Sequence, residues 1–269
     1  MKIDAKTEIY GIIGDPVSHS RSPVMHNSGF RALSLNCVYL AFPVKDVRAA
    51  LSGLRGLGIK GVSVTIPHKQ TVIPLLDQVD PVAAKIGAVN TIINKNGSLK
   101  GLNTDWIGAN RALEEKTSIK GKNILLLGAG GSARSIGFGL NEAGARPILA
   151  SRTPAKGQAL AAELDCPWKP LTETAEIEAD ILVNATSVGM APASDASPVN
   201  KDILNRFRVV MDIVYSPLET RLLREAGEAG CRTINGLAML LYQGAAQFEL
   251  WTGREAPLDV MRDILSNGK

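Results

Sequence analysis

The stretch Ile124-Leu125-Leu126-Leu127-Gly128-Ala129-Gly130-Gly131-Ser132-Ala133 decides how this chain is read. An apolar run of strand length ends in G-x-G-x-x-A and then opens a helical pattern. Each small residue has a mechanical reason. Gly128 permits the tight turn, Gly130 lets backbone approach a pyrophosphate, and Ala133 lets helix pack close to strand. The helix start presents its free N–H groups to phosphate, Gly131 and Ser132 among them. Alone the motif is weak, and a Gly-rich turn of an unrelated α/β protein or a methyltransferase loop shares its spacing. Here strand, turn, helix and second strand follow in order, so the stretch reads as a dinucleotide site.

The same pattern continues outward. Asn123–Leu127 and Pro147–Ala150 read as strands, with helices over Ser132–Ala143 and Lys156–Leu164. Ile181–Val183, Val209–Met211 and Arg232–Ile234 are further strands. Such alternation argues for a parallel sheet covered on both faces. The residues after the second strand, Ser151-Arg152-Thr153-Pro154-Ala155-Lys156, hold two bases and no acid. An NAD site places a carboxylate there for the ribose 2′-hydroxyl. A 2′-phosphate is repelled by a carboxylate and attracted by Arg152 and Lys156, so the reading is NADP(H). Charge-assisted hydrogen bonds of about 1.5–3 kcal/mol make one such contact worth roughly tenfold to a hundredfold. The bland reading, solvated charges at a helix start, is disfavoured because bases oppose the helix dipole there. Strand-end loops border the ligand crevice, which brings Thr186, Ser187 and Ile213 toward the nicotinamide half.

The first hundred residues are organised differently. Ile9–Gly14, Cys37–Phe42 and Gly61–Ile66 read as strands, Val44–Leu57 as an amphipathic helix, and Asn96-Gly97 as a hairpin turn. This half mixes parallel and hairpin-linked strands. Residues from Gly236 onward read as helix. The expected organisation is 1–106, a substrate-binding α/β domain with a mixed sheet; 107–235, a Rossmann-type doubly wound domain; and 236–269, helices returning to the first domain.

Composition excludes several classes. The 269 residues are 45% hydrophobic and 21% charged, which is globular. A net charge of +4 is too mild to argue for nucleic acid and suits an anionic small molecule. Cys37, Cys166 and Cys231 form no CxxC pair, so neither a zinc site nor a disulfide framework is expected. No metal is expected. Asp4 and Glu8 stand where a signal peptide needs a basic, apolar start, and no run reaches 18 apolar residues. The expectation is a soluble cytoplasmic protein without a membrane partner, monomeric or homodimeric.

Polar clusters in the first half complete the picture: Ser18–Pro23, Val64–Lys69, Asn90, Asn103-Thr104-Asp105, and Gln243 on the late helix. Taken singly, Ser20 and Ser22 read equally well as helix caps and Lys69 as a solvated surface lysine. Together, and in order, they resemble the shikimate dehydrogenase family. The likeness runs through Gly14-Asp15-Pro16, Ser20-Arg21-Ser22-Pro23, Val64-Thr65-Ile66-Pro67-His68-Lys69, Gly87-Ala88-Val89-Asn90-Thr91 and Asn103-Thr104-Asp105. It continues through the Gly128 loop, Ser151-Arg152-Thr153, Asn184-Ala185-Thr186, Asn235–Leu240 and Gln243.

The resemblance implies the two-domain fold and the reversible, NADPH-dependent reduction of 3-dehydroshikimate to shikimate, a step of aromatic amino-acid biosynthesis. It assigns Ser20 and Ser22 to the substrate carboxylate; Thr65, Asn90, Asp105 and Gln243 to ring hydroxyls; and Lys69, with Asp105 as its partner, to catalysis. Tyr215 falls near the substrate and Gly236 beside the nicotinamide. Gly128, Ala129, Gly130, Gly131, Ser132, Ala133, Ser151, Arg152, Thr153, Lys156, Thr186, Ser187 and Ile213 complete the cofactor set. Ser151 stands where Asn is usual, Lys156 where a second Arg is usual, and His68 where Phe is frequent. The resemblance also implies a cleft that closes by hinge motion near Trp106–Asn110 and Gly236. Rival readings are an NAD-dependent quinate/shikimate dehydrogenase, opposed by Arg152 and the serine pair; a more distant methylenetetrahydrofolate-type dehydrogenase; and a catalytically silent metabolite sensor, opposed by the presence of Lys69 and Asp105.

Overall fold

The computed structural model describes residues 3–267. They form two compact units, one made of residues up to Thr104 together with those from Gln243 onward, the other of Asp105–Tyr242.

The first unit holds β1 (Glu8–Gly14), α1 (Ser22–Ala32), β2 (Cys37–Pro43), α2 (Val47–Gly56), β3 (Gly61–Val64), β4 (Gln78–Val79), α3 (Pro81–Ile86), β5 (Thr91–Lys95) and β6 (Ser98–Leu102). The strand order is β2-β1-β3-β5-β6-β4. β1 lies parallel to β2 and β3, while β5 is antiparallel to β3 and β6. The mixed character follows from the Asn96-Gly97 turn, where both residues have positive φ, 53° and 88°. A two-residue turn of that shape matches strand twist and forces an antiparallel pair. Asp46 caps α2 by accepting from the Ala49 N–H at 3.0 Å, and Asp80 caps α3 in the same manner. One sheet face packs on Leu51 and Leu54 of α2 through Ile13, Val62, Val64 and Ile92.

The second unit holds α4 (Asp105–Glu114), β7 (Asn123–Leu127), α5 (Gly131–Glu142), β8 (Arg146–Ser151), α6 (Pro154–Glu163), β9 (Trp168–Pro170), β10 (Ile181–Asn184), β11 (Val209–Asp212), α7 (Arg221–Glu228), β12 (Arg232–Ile234) and the first turns of α8 (Gly236–Thr252). Its sheet runs β12-β11-β10-β7-β8-β9 with every pair parallel. This is the doubly wound dinucleotide-binding order, with the switch point between β7 and β10. The strands read as unbroken apolar runs because they are buried: Leu125, Leu127, Leu182 and Val210 share one core cluster with Leu222 and Leu223 of α7.

The rest of α8 and then α9 (Leu258–Asn267) belong to the first unit, where α9 packs on α1. α8 is therefore divided near Tyr242, where the reading of the sequence put the whole helix with the returning segment. Tyr242 donates to Glu115 and lies under the Arg111 guanidinium, which ties that turn to α4. The segment Trp106–Asn110, near which the domain boundary and a hinge are expected, lies within α4. Its buried Ala109 and Asn110 and the edge-to-face pair Trp106–Phe138 dock it on α5. β4 and β9 escaped the sequence reading because two- and three-residue edge strands carry no periodicity. No helix among the described residues is long and apolar enough to cross a membrane, and the three cysteines are free thiols.

Candidate functional site

In the first unit the strand ends β1 and β3 carry the two polar loops. Beyond β3, Thr65 donates its N–H to Ile13 O at 3.0 Å, and His68 N–H returns to Thr65 O at 2.9 Å. His68 is buried, and its Nε2 lies 2.7 Å from Val44 O, so the ring donates and pins the turn to the end of β2. The sequence offered no role for His68; the fold gives it one. Lys69 follows half-buried, its carbonyl held by the Val89 N–H at 2.7 Å, one residue before Asn90. Asn90 in turn accepts from the Val64 N–H at its carbonyl. Lys69 and Asn90 thus sit on a single rigid backbone frame.

Asn90 is 2% exposed. Its Oδ1 accepts from the Thr104 N–H (2.8 Å) and from Thr91 Oγ1 (2.7 Å). Its Nδ2 donates to Thr104 Oγ1 (3.0 Å) and Gln243 Oε1 (3.2 Å). Asn90 and Gln243, 153 residues apart, are thereby brought together. Ser20 and Ser22 stand at the start of α1. Ser22 is its first residue and buried, and the Ser20 hydroxyl accepts from the Ser22 N–H at 3.3 Å. The N-cap position is Arg21, with no side-chain cap bond, so neither serine is the N-cap residue, although the Ser20 hydroxyl takes one free N–H of the helix start.

In the second unit Gly128 sits at φ +118°, a conformation open to glycine and strained for other residues. Its N–H donates to Ala150 O at 2.8 Å, and a Cβ there would stand 3.0 Å from Ala185 O and 3.2 Å from Thr186. The turn is held between the ends of β8 and β10, beside Ser151 and Thr186. Gly130 is the N-cap of α5, with no side chain capping its first turn, and a Cβ there would meet open space out to 4 Å. Ala133 is fully buried against the sheet, while Ala129, Gly131 and Ser132 are partly exposed along the turn. A glycine turn leading into a helix start of this kind has the geometry to receive a phosphate. Ser151 Oγ accepts from Trp168 Nε1 at 3.0 Å and donates to Thr153 O at 3.3 Å, so the protein itself uses that hydroxyl. Arg152, Thr153 and Lys156 are exposed at the start of α6. Thr186 folds onto Asn184 Oδ1 (2.7 Å) and accepts the Val188 N–H (3.1 Å), with Ser187 exposed beside it. At Gly236 a Cβ would overlap the Ile213 carbonyl, so these two positions share one close approach. Tyr215 is half-buried in the loop after β11. Asp105 opens α4 and is 4% exposed.

Sequence reasoning missed the support beneath these loops. Asp212, fully buried, accepts from Asn184 Nδ2 (2.9 Å), the Val214 N–H (3.0 Å) and Thr220 Oγ1 (2.7 Å). Burial pushes its carboxyl up to about 6 despite those donors. One carboxylate therefore shapes both strand-end loops. The signal was a lone acid ending an apolar strand, Val209-Val210-Met211-Asp212.

Known proteins bear on this geometry. A family model described as "Shikimate dehydrogenase substrate binding domain" matches residues 12–92, and one described as "Shikimate 5'-dehydrogenase C-terminal domain" matches 236–265. The shikimate dehydrogenase (NADP(+)) of Moorella thermoacetica is 48% identical, covering 98% of this chain and 95% of its own. A crystal structure of a shikimate dehydrogenase in complex with NADP+ superposes with a TM-score of 0.93 at 43% identity, over 99% of this chain and 97% of the other. The Thermus thermophilus shikimate 5-dehydrogenase in complex with NADP(H) and shikimate gives 0.89 at 38% identity, over 96% and 98%. With likeness of that depth along nearly its whole length, the chain belongs to the shikimate dehydrogenase family.

Proposed function

We propose that the chain interconverts shikimate and 3-dehydroshikimate with NADP(H), a step of aromatic amino-acid biosynthesis. The observation that carries the reading is the frame joining Lys69, Asn90 and Gln243 in one unit, together with the bare Gly128 cradle of the other. The family name borne by a relative 48% identical supports the same reaction.

Lys69 serves as the acid/base. It delivers a proton to the ketone oxygen during reduction and removes it from the hydroxyl in the reverse direction. Its ammonium also stabilises negative charge as it builds on that oxygen. Asp105 acts with it and grips a ring hydroxyl. Thr65, Asn90 and Gln243 hold the remaining hydroxyls, Ser20 and Ser22 the carboxylate, and Tyr215 lies against the substrate. The residues of the second unit fit the dinucleotide: an uncapped helix start for the pyrophosphate, two exposed bases for the 2′-phosphate, and Thr186, Ser187, Ile213 and Gly236 for the nicotinamide half. NADP(H), when bound, supplies or accepts the hydride.

A turnover assay with shikimate, following nicotinamide absorbance with NADP+ and NAD+ in parallel, tests the reading. Turnover favouring NADP+ by at least roughly tenfold is expected from one charge-assisted contact. Preference for NAD+ with quinate overturns the cofactor and substrate assignment. No turnover with either cofactor favours a metabolite-binding protein.

A further inference from the structure

Behind Asn90 lies a buried line of side chains that the proposed chemistry does not use. Gln247, on α8 one turn beyond Gln243, has no exposed surface. Its Nε2 donates to Asn90 O (3.1 Å) and Thr91 Oγ1 (2.9 Å). Its Oε1 accepts from Ser63 Oγ (2.7 Å). Ser63 lies on β3 and meets Tyr39 Oη of β2 at 2.6 Å.

The direction of every bond in this line follows from groups that have no choice. Asn90 O only accepts, so the amino arm of Gln247 faces it and the carbonyl arm faces Ser63. Ser63 gives its proton to that carbonyl, so it receives the proton of Tyr39. Thr91 receives from Gln247 and gives its own proton to Asn90 Oδ1. The Thr104 N–H fixes that same oxygen as an acceptor. Nδ2 of Asn90 is then the donor toward Gln243 Oε1, which leaves the amino group of Gln243 as its donor arm. Donor and acceptor polarity thus runs from Tyr39 through Gln247 to the two amides assigned to the substrate's hydroxyls. A buried network satisfied at each member fixes one arrangement, because any flipped amide strands buried polar atoms.

We infer that Gln247, acting through Thr91 and together with the Thr104 N–H, is a positioning residue that holds the amide orientation of Asn90 and Gln243 and thereby the affinity for a polyhydroxylated cyclic acid. The inference rests on the reading of Asn90 and Gln243 as substrate-holding side chains. Gln247 itself touches no substrate.

The test is steady-state kinetics of Gln247→Met, Thr91→Val and Thr91→Ser, with Gln243→Ala and Asn94→Ala as references. Gln247→Met and Thr91→Val keep volume and remove the relay. Asn94 is a buried amide elsewhere in the same unit, bonded to Leu54 O and Ile59 O, and reports simple destabilisation. The expected result is a KM for shikimate raised about tenfold in Gln247→Met and Thr91→Val, the size of one lost hydrogen-bond orientation. KM for NADP+ and kcat stay within about twofold, and Thr91→Ser restores the wild-type KM. Asn94→Ala lowers Tm and leaves KM for shikimate unchanged. The inference is overturned if Gln243→Ala raises that KM while Gln247→Met and Thr91→Val do not. It is equally overturned if the two variants lower kcat and raise both KM values together, or if Thr91→Ser behaves like Thr91→Val. An unchanged KM in Gln243→Ala removes the site reading beneath it.

Discussion

On the proposed function, the two units would meet their ligands with different parts of the chain. The first offers side chains: Asn90 and Gln243 are held by a buried network of amides and hydroxyls, and the Lys69 carbonyl is held by the Val89 N–H, one residue before Asn90. The second uses backbone: a glycine turn at φ +118° and the uncapped start of α5, with charge added only at the exposed Arg152 and Lys156. A small polyhydroxylated acid offers directional groups that side chains read. A pyrophosphate offers diffuse negative charge that N–H groups and a helix dipole read. The consequence is a difference in vulnerability. The first unit is damaged by deleting a polar atom, the second by adding a carbon.

The sharpest contrast is at the chemical step. Lys69→Ala is expected to lower kcat by about 10²–10⁴-fold, the worth of general acid–base assistance, with KM for NADP+ unchanged. Near wild-type kcat in a pre-steady-state and steady-state comparison would remove Lys69 from the reaction. In the second unit Arg152→Ala is expected to raise KM for NADP+ by roughly tenfold to a hundredfold and to leave KM for NAD+ within about twofold. Equal losses for both cofactors would reject a 2′-phosphate role. Gly128→Ala introduces a Cβ 3.0 Å from Ala185 O at a left-handed φ. A loss of about 1–3 kcal/mol in unfolding free energy is expected, with KM for NADP+ raised and KM for shikimate little changed. Denaturant titration checks the first part, and an unchanged midpoint would show that the turn relaxes freely.

The smallest effect separates the units by pH. Burial pushes the fully enclosed His26 of the first unit down to about 3, whereas Asp212 of the second is pushed up to about 6. The signs oppose. The stability that a neutral His26 contributes is present above about 6.5 and lost as pH falls toward 3. The stability that a protonated Asp212 contributes is present below about 3.8 and lost as pH rises through 6. Each slope is at most about 1.4 kcal/mol per pH unit. Between about pH 4 and 6, Asp212→Asn should make unfolding free energy rise more steeply with pH than in the wild type, and His26→Leu less steeply. Parallel pH curves for all three proteins would reject both assignments.

Legibility in the sequence followed the same division. The parallel sheet was read from Ile124–Ala133 and the strands after it because strand, turn and helix there are local and periodic. The Asn96-Gly97 hairpin was read for a similar reason: two residues with positive φ select the turn. The α4 helix was missed since its apolar spacing overlaps Trp106–Asn110, where a domain break was expected, and its stability comes from docking on α5. Ser63 and Gln247 went unread because a serine in an apolar strand and a second glutamine one helical turn past the first carry no local signal. Their partners lie 184 and 156 residues away in the chain.

By itself the sequence determined which segments bury, where the glycine turn between strand and helix lies, and which polar residues are available for chemistry, because spacing and residue type act over a few neighbours. Only the tertiary structure decided that Asn90 faces Gln243, that His68 anchors the Lys69 loop, and that Asp212 supports both strand-end loops. Those depend on strand order and helix docking, and a buried hydrogen bond exists only when the fold brings both of its atoms within about 3 Å.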